Sequence, residues 1–182
     1  MRTTEYGAVA AVCLAALTLT ACGADDSYTV PETICGLPVD PALVEPLLPE
    51  GGDLKVSAYG DPAADRNVQC VLSVDDEEAV RIVSSRHPER IADPVGASAS
   101  MFDLRIWKPV PADLGERGAV ASNGAIADVP CATDGAKYLT VRMELRWLHV
   151  PQKTPDKDYK PAVTEFTRAF TAAAAEKAGC PT

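Results

Sequence analysis

Histidines are the first candidates for chemistry in this chain, and only two are present among its 182 residues. His87 lies in Ser84-Ser85-Arg86-His87-Pro88-Glu89, where a hydroxyl and a carboxylate are close to the imidazole in sequence. A Ser/His/acid triad normally draws its members from distant parts of the chain, and no Gly-x-Ser-x-Gly occurs. We therefore predict no catalytic residue. His87 is interpreted as a solvated loop residue and His149 as a residue at the edge of a sheet.

Metal and cofactor sites are not predicted either. The acidic run Asp75-Asp76-Glu77-Glu78 offers oxygen ligands for Ca²⁺, but it has neither the alternating ligand spacing nor the glycine of a known calcium loop. We interpret it as a solvated hairpin tip. No Cys-x-x-Cys spacing points to zinc, and no glycine-rich phosphate loop is present.

The N-terminal residues have the layout of a secretory signal peptide. Residues 6–19 form an apolar run that follows Arg2, and a run of this length is too short to cross a bilayer. The run ends in Leu19-Thr20-Ala21-Cys22-Gly23, which looks like a bacterial lipobox. We predict a signal peptide over 1–21 and a lipid attached to the sulfur of Cys22, which would anchor the protein at the outer face of the cytoplasmic membrane.

Cysteine usage agrees with export. Of the six Cys, Cys13 is removed with the signal peptide and Cys22 carries the lipid, which leaves Cys35, Cys70, Cys131 and Cys180. Four widely spaced Cys in an exported domain indicate two disulfides, with three possible pairings. We predict Cys35–Cys70 and Cys131–Cys180, because a helix running back along the last strand would bring the second pair together.

Charge and length limit the partners and the domain count. With 17 Lys and Arg against 26 Asp and Glu, the net charge is −9, which disfavours nucleic acid as a partner. The chain length fits one globular domain and a processing segment. We assign 22–34 to the lipidated Cys and a tether, and 35–182 to a single extracytoplasmic domain.

The mature chain alternates between strand-like and helical patterns. Period-two segments occur at 54–59, 68–74, 79–85, 102–108 and 138–148, with a four-residue hairpin loop over 75–78 and a type I′ turn signal at Asn123-Gly124. Asp40-Pro41 begins a short helix, and helical spacing runs from Ala162 to Gly179. These patterns predict an α+β fold in which the long C-terminal helix packs on one face of an antiparallel sheet of five to six strands.

A binding surface is predicted on the other face of that sheet. In the longest strand, Arg142, Glu144 and Arg146 alternate with apolar residues, as expected for a sheet with one wet face. Arg105 and Trp107 on a second strand would add a cation and a stacking ring. Ion pairing with Asp103 is an alternative reason for these charges that needs no function.

The layout resembles the small secreted lipoproteins of actinobacteria, and its cysteine arrangement is similar to that of extracellular sensor domains of some mycobacterial receptor kinases. The residues that carry the resemblance are the lipobox Leu19 to Cys22, Cys35-Gly-Leu, Cys70-Val-Leu-Ser, Val129-Pro130-Cys131 and Gly179-Cys180. It implies a non-enzymatic surface domain and supplies no ligand. We predict that this domain binds an unknown envelope ligand or protein. Two alternatives remain: an envelope hydrolase or transferase without recognisable motifs, and a structural accessory subunit of a membrane complex.

Overall fold

The fold is built on a seven-stranded antiparallel sheet. The computed structural model describes residues 27–97, 108–148 and 158–181. The strand order is β3-β4-β5-β9-β8-β7-β6, and a separate two-stranded sheet pairs β1 with β2. The strands are β1 (Thr33–Ile34), β2 (Leu37–Pro38), β3 (Leu54–Tyr59), β4 (Asn67–Val74), β5 (Glu77–His87), β6 (Val110–Pro111), β7 (Arg117–Ala121), β8 (Gly124–Pro130) and β9 (Tyr138–Leu145).

The expected α+β class and antiparallel sheet are confirmed, but the expected count of five to six strands is too low. The unpredicted strand β6 lies in a segment rich in Pro, Gly and Ala that shows little alternation of apolar and polar residues. It forms because it pairs with β7, which in turn pairs with β8, and this is a tertiary effect. The strand predicted over 102–108 lies outside the described residues, apart from its last position.

The long helix α3 (Lys160–Lys177) covers one face of the sheet. Its buried side chains include Val163, Phe166 and Phe170, which join one hydrophobic cluster with the alternating apolar residues of β9. Gly179 follows the helix with a φ of 71°, a left-handed conformation that favours glycine at this position. The predicted packing of a C-terminal helix on the sheet is therefore confirmed.

Residues before Cys35 belong to the packed domain, which shortens the predicted tether. Ser27 forms a parallel bridge with Gly51, and the side chains of Val30 and Ile34 are buried in the core. The predicted tether of 22–34 therefore includes a part, 27–34, that contacts the domain. The segment packs because its apolar residues contact the core, although it shows no periodicity that would reveal this.

Short helices follow this segment. The Asp40 carboxylate caps α1 (Pro41–Val44) by accepting a hydrogen bond of 2.9 Å from the backbone N–H of Ala42, as the Asp-Pro pair predicts. A 3-10 turn (Glu45–Leu47) follows, and α2 (Pro94–Ala97) is a single turn in the predicted long loop. Among the described helices, none is both long and apolar enough to cross a membrane.

Both predicted hairpins form, but with different turns. The β4–β5 turn contains only Asp75 and Asp76, with φ of 50° and 66°, rather than the expected four residues. Positive φ at both central residues is typical of a type I′ turn, which matches the twist of the strands. In the β7–β8 hairpin the turn residues are Ser122 and Asn123, neither of which has a positive φ, so the type I′ prediction at Asn123-Gly124 is wrong.

Both predicted disulfides are confirmed. Cys35 pairs with Cys70 and Cys131 pairs with Cys180, with Cα–Cα distances of 5.8 and 4.4 Å. The second bridge joins the chain after β8 to the chain after α3, because the helix returns along the sheet to the end where β8 stops.

Candidate functional site

The candidate site lies on the face of the sheet opposite α3, which we call the polar face. On β9 this face carries Thr140, Arg142 and Glu144, and the expectation that these residues are solvated is wrong. Their exposures are only 6 %, 2 % and 5 %. The alternation of β9 is as predicted, but β9 is the central strand of seven, and Arg142 lies in register between Val83 and Ile126, which are themselves buried.

The charges of the polar face pair with one another rather than point freely into solvent. The Arg81 guanidinium donates to both carboxylate oxygens of Glu78 at 2.6 and 2.5 Å. Arg146 donates to Glu144 at 3.1 Å and also lies 3.6 Å from Glu78. We call these four residues together with Arg142 the Arg–Glu network. These contacts support the alternative that the charges pair with one another and need no function. The predicted partner was Asp103, whereas the partners in these contacts are Glu78 and Glu144.

Arg142 is the buried end of this network and Arg146 its accessible end. Burial lowers the pKa of the Arg142 guanidinium to about 10, and the nearby Glu144 carboxylate opposes that shift. The Arg142 guanidinium therefore stays charged at neutral pH. About 30 % of the Arg146 side chain and 23 % of the Arg81 side chain are exposed, so a partner carboxylate or phosphate would reach these two arginines, of which Arg146 is the more exposed.

A second polar group, the Asp128 cluster, consists of Ser85, His87, Asp128 and Thr140. Ser85, Thr140 and Asp128 lie in one row across β5, β9 and β8, and His87 is two residues beyond Ser85 on the same face. The Thr140 hydroxyl donates to Asp128 Oδ1 at 2.9 Å. Asp128 Oδ2 and Ser85 Oγ are buried and have no hydrogen-bond partner in the described ranges. An unpaired buried polar atom is unfavourable, so this arrangement is expected where a group has another use.

The two ionisable groups of the cluster have pKa values shifted in opposite directions. Burial raises the pKa of the Asp128 carboxyl, although the Thr140 hydrogen bond, the Ile91 backbone and nearby positive charge from His87 and Arg90 oppose this. Burial lowers the pKa of the half-buried His87 imidazole, which the Asp128 charge opposes. The cluster can therefore present a neutral imidazole beside a carboxyl group that exchanges a proton, or that accepts a hydrogen bond from a cation or another donor.

Arg90 closes the rim of the cluster. Its guanidinium carbon lies 5.3 Å from the centroid of the Tyr138 ring, a cation–π distance, and its guanidinium also pairs with Glu116. Tyr138 is the register partner of His87. Arg90 thus places a positive charge beside the buried carboxyl of Asp128.

The structure gives definite positions to several residues singled out from sequence. His87 is the half-buried last residue of β5, so the interpretation as a solvated loop residue is wrong. Asp75 accepts hydrogen bonds from backbone amides and Asp76 pairs with Lys55 at 2.7 Å, which favours the solvated hairpin tip over calcium binding. Within the described ranges no three metal-ligating side chains come together. Cys22, Arg105, Trp107 and His149 lie outside those ranges.

Sequence reasoning missed Asp128 and Thr140, and it gave Ser85 no role of its own. A signal for Asp128 is visible in Gly124-Ala-Ile-Ala-Asp-Val-Pro130, where one acidic residue interrupts an apolar strand. Asp is depleted in strands, so an Asp at such a position suggests a specific use. Its neighbours across the sheet could not be read from sequence, because they come from two other strands.

Comparisons with known proteins do not add to this description. No protein-family model matches the chain, and neither a curated protein nor a solved structure is significantly similar to it. The site therefore has to be interpreted from its own geometry.

Proposed function

We propose that this protein is a membrane-anchored bacterial lipoprotein whose disulfide-linked domain binds a ligand or partner in the cell envelope without catalysing a reaction. In this proposal Cys22 carries the lipid, the domain lies at the outer face of the cytoplasmic membrane, and no cofactor is needed. The lipobox at 19–22 supports the anchor.

The observation that carries the proposal is the pairing of the remaining cysteines. All four Cys that are left after the predicted processing are joined in two disulfides. Disulfides of this kind persist in oxidising compartments and are rare in the cytosol. The division of six Cys into one removed, one lipidated and four paired is what an exported lipoprotein requires.

Metabolic labelling with a fatty acid tests the anchor. The full chain should label and fractionate with membranes, whereas Cys22→Ala should lose the label. Cys13→Ala is the matched control and should label normally, because Cys13 lies in the segment that is removed. Labelling and membrane retention of Cys22→Ala would refute the anchor.

Binding is proposed on the polar face, at the accessible end of the Arg–Glu network, with the predicted contributions of Arg105 and Trp107. Arg142 contributes indirectly, because its buried charge faces Glu144, and Glu144 accepts a hydrogen bond from Arg146. An arginine held at the end of a strand suits a carboxylate or phosphate on a partner.

Crosslinking in the native cells tests this surface. A partner that uses the polar face should be captured by the parent protein and by Arg168→Ala, but less by Arg146→Ala. Arg168 is a matched control because it is an exposed arginine on α3 and pairs with Glu165 there. Equal capture by both variants would exclude Arg146 from the binding surface.

A hydrolase is the second candidate, because His87, Ser85 and Asp128 share one part of the polar face. Ser85 has only 2 % exposure, however, and a nucleophile must reach its substrate. Replacing His87 and His149 together by Ala should therefore leave the biological phenotype intact. Loss of function with unchanged thermal stability would favour the enzyme.

A further inference from the structure

The position of Ser27 fixes where the chain enters the domain. Ser27 bridges to Gly51, and the neighbouring Tyr28 hydroxyl donates a hydrogen bond of 2.5 Å to the Pro49 carbonyl. Gly51 lies beside the β4–β5 turn, because the Asp75 carboxylate accepts hydrogen bonds of 3.1 and 2.9 Å from the two amides that follow Gly51. We call this end of the sheet the entry end.

The opposite end, which we call the far end, lies a full strand length away. β5 begins with Glu77 at the entry end and finishes with His87 at the far end, and its 11 residues correspond to about 34 Å. The loops over 60–66 and 131–137 are at this far end. The buried Arg86 joins them by donating to the Ala64 carbonyl at 2.9 Å and pairing with Asp134 at 3.4 Å.

The chain between the predicted lipid and the domain is too short to reach the far end. Cys22 and Ser27 are five residues apart in the sequence, and five extended residues span at most about 18 Å. This is roughly half the length of β5. A lipid on Cys22 therefore holds the entry end at the bilayer, and the far end reaches the bilayer only if the domain lies on its side.

The described surface offers no apolar side on which the domain would lie flat. The outward side of α3 carries charged residues, including Glu165, Arg168 and Lys177. Within the described ranges the large hydrophobic residues that are exposed are Tyr59 and Val110, and they lie on strands at opposite edges of the sheet. A net charge of −9 further opposes close contact with anionic lipid.

We propose that the domain stands on the membrane by its entry end and presents the far end to the aqueous envelope space. This inference rests on the proposed lipid anchor at Cys22. The Asp128 cluster lies in the far half of the polar face, since it comes from the last residues of β5 and β8 and the first residues of β9. A molecule that reaches the Asp128 cluster would therefore come from the aqueous space rather than from the anchoring bilayer, whereas Arg146 lies near the entry end beside Glu78.

Energy transfer from the domain to the bilayer tests the orientation. Two versions of the full lipidated chain each carry one donor fluorophore on a non-natural amino acid. One version is labelled at Glu77, at the entry end, and the other at Ala63, at the far end. Both positions are exposed. Each protein is placed in phosphatidylcholine vesicles that contain a headgroup-labelled acceptor lipid. Transfer should be several-fold more efficient from position 77 than from position 63.

A longer connection provides the control. A Gly/Ser insert of about 30 residues between Gly23 and Ser27 has a root-mean-square length of about 30 Å, which should remove most of the difference. Vesicle-bound protein with equal transfer from both positions, or more from position 63, would overturn the orientation and leave the anchor intact. Failure of the full chain to bind vesicles would instead overturn the lipid anchor, and the orientation with it.

Discussion

The Cys131–Cys180 disulfide holds the C-terminal end of α3 to the chain that follows β8. Its two half-cystines are buried, with exposures of 0 % and 7 %, and the bridge closes a loop with a sequence separation of 49 residues. Replacing both residues by Ala removes the bridge and leaves no unpaired polar atom in the buried site. The variants and the parent are compared as residues 23–182, which lack the predicted signal peptide and the lipidated Cys.

The expected loss of stability follows from the loop length. In the chain-entropy model a closed loop of this length contributes about 4 kcal/mol to the free energy of unfolding. The Cys35–Cys70 loop, with a separation of 35 residues, contributes nearly the same amount, because the difference between the two loops is only about 0.3 kcal/mol. Loss of both bridges would remove roughly 8 kcal/mol. That is comparable to the total stability of a typical domain, about 5–15 kcal/mol, so the fold is expected to depend on its disulfides.

Urea unfolding measures this loss directly. With a slope of about 2 kcal/mol per molar urea, the unfolding midpoint should fall by about 2 M for either double variant. The Cys35→Ala/Cys70→Ala protein serves as the matched comparison, and the two losses should agree closely. A loss below about 1 kcal/mol for the 131–180 pair would refute the loop-entropy argument for this domain.

Asp128→Asn should weaken the fall of stability with rising pH. Burial raises the pKa of the Asp128 carboxyl in the folded protein. The native state therefore binds this proton more tightly than the unfolded state does. The stability that results is lost as the pH rises through the folded pKa. In urea unfolding from about pH 4 to about pH 7, the variant should therefore gain stability relative to the parent as the pH rises, and a difference that does not change with pH would contradict this reasoning. Glu144→Gln should lower the free energy of unfolding by about 3 kcal/mol, because it removes the negative charge that faces the buried Arg142 guanidinium. Arg146→Ala, at the accessible end of the network, should lower the free energy of unfolding by under about 1 kcal/mol. Equal losses for Glu144→Gln and Arg146→Ala in urea unfolding would argue against the buried network. Phe166→Ala should cost about 3–5 kcal/mol by opening the core under α3, and a similar thermal midpoint for variant and parent would show that the helix is not held there.

Local patterns in the sequence determined most of the elements. The alternation of apolar residues predicted β3, β4, β5 and β9, and Asp40-Pro41 and Gly179 marked helix ends, because these signals depend on residues close together in the chain. The disulfide pairing also followed from the order of the elements. The strand β6 and the packing of 27–34 were missed, since they form only through contacts with distant partners.

The candidate site was decided by the tertiary structure. The sequence by itself determined that Arg142 and Arg146 lie on the face of β9 away from its apolar residues, because side chains alternate along any strand. It could not determine that this face is buried, since burial depends on what the rest of the fold places around and over that face. The meeting of Ser85, Thr140 and Asp128 in one row likewise required the register of three strands, and register is set by long-range packing rather than by the residues of any one strand.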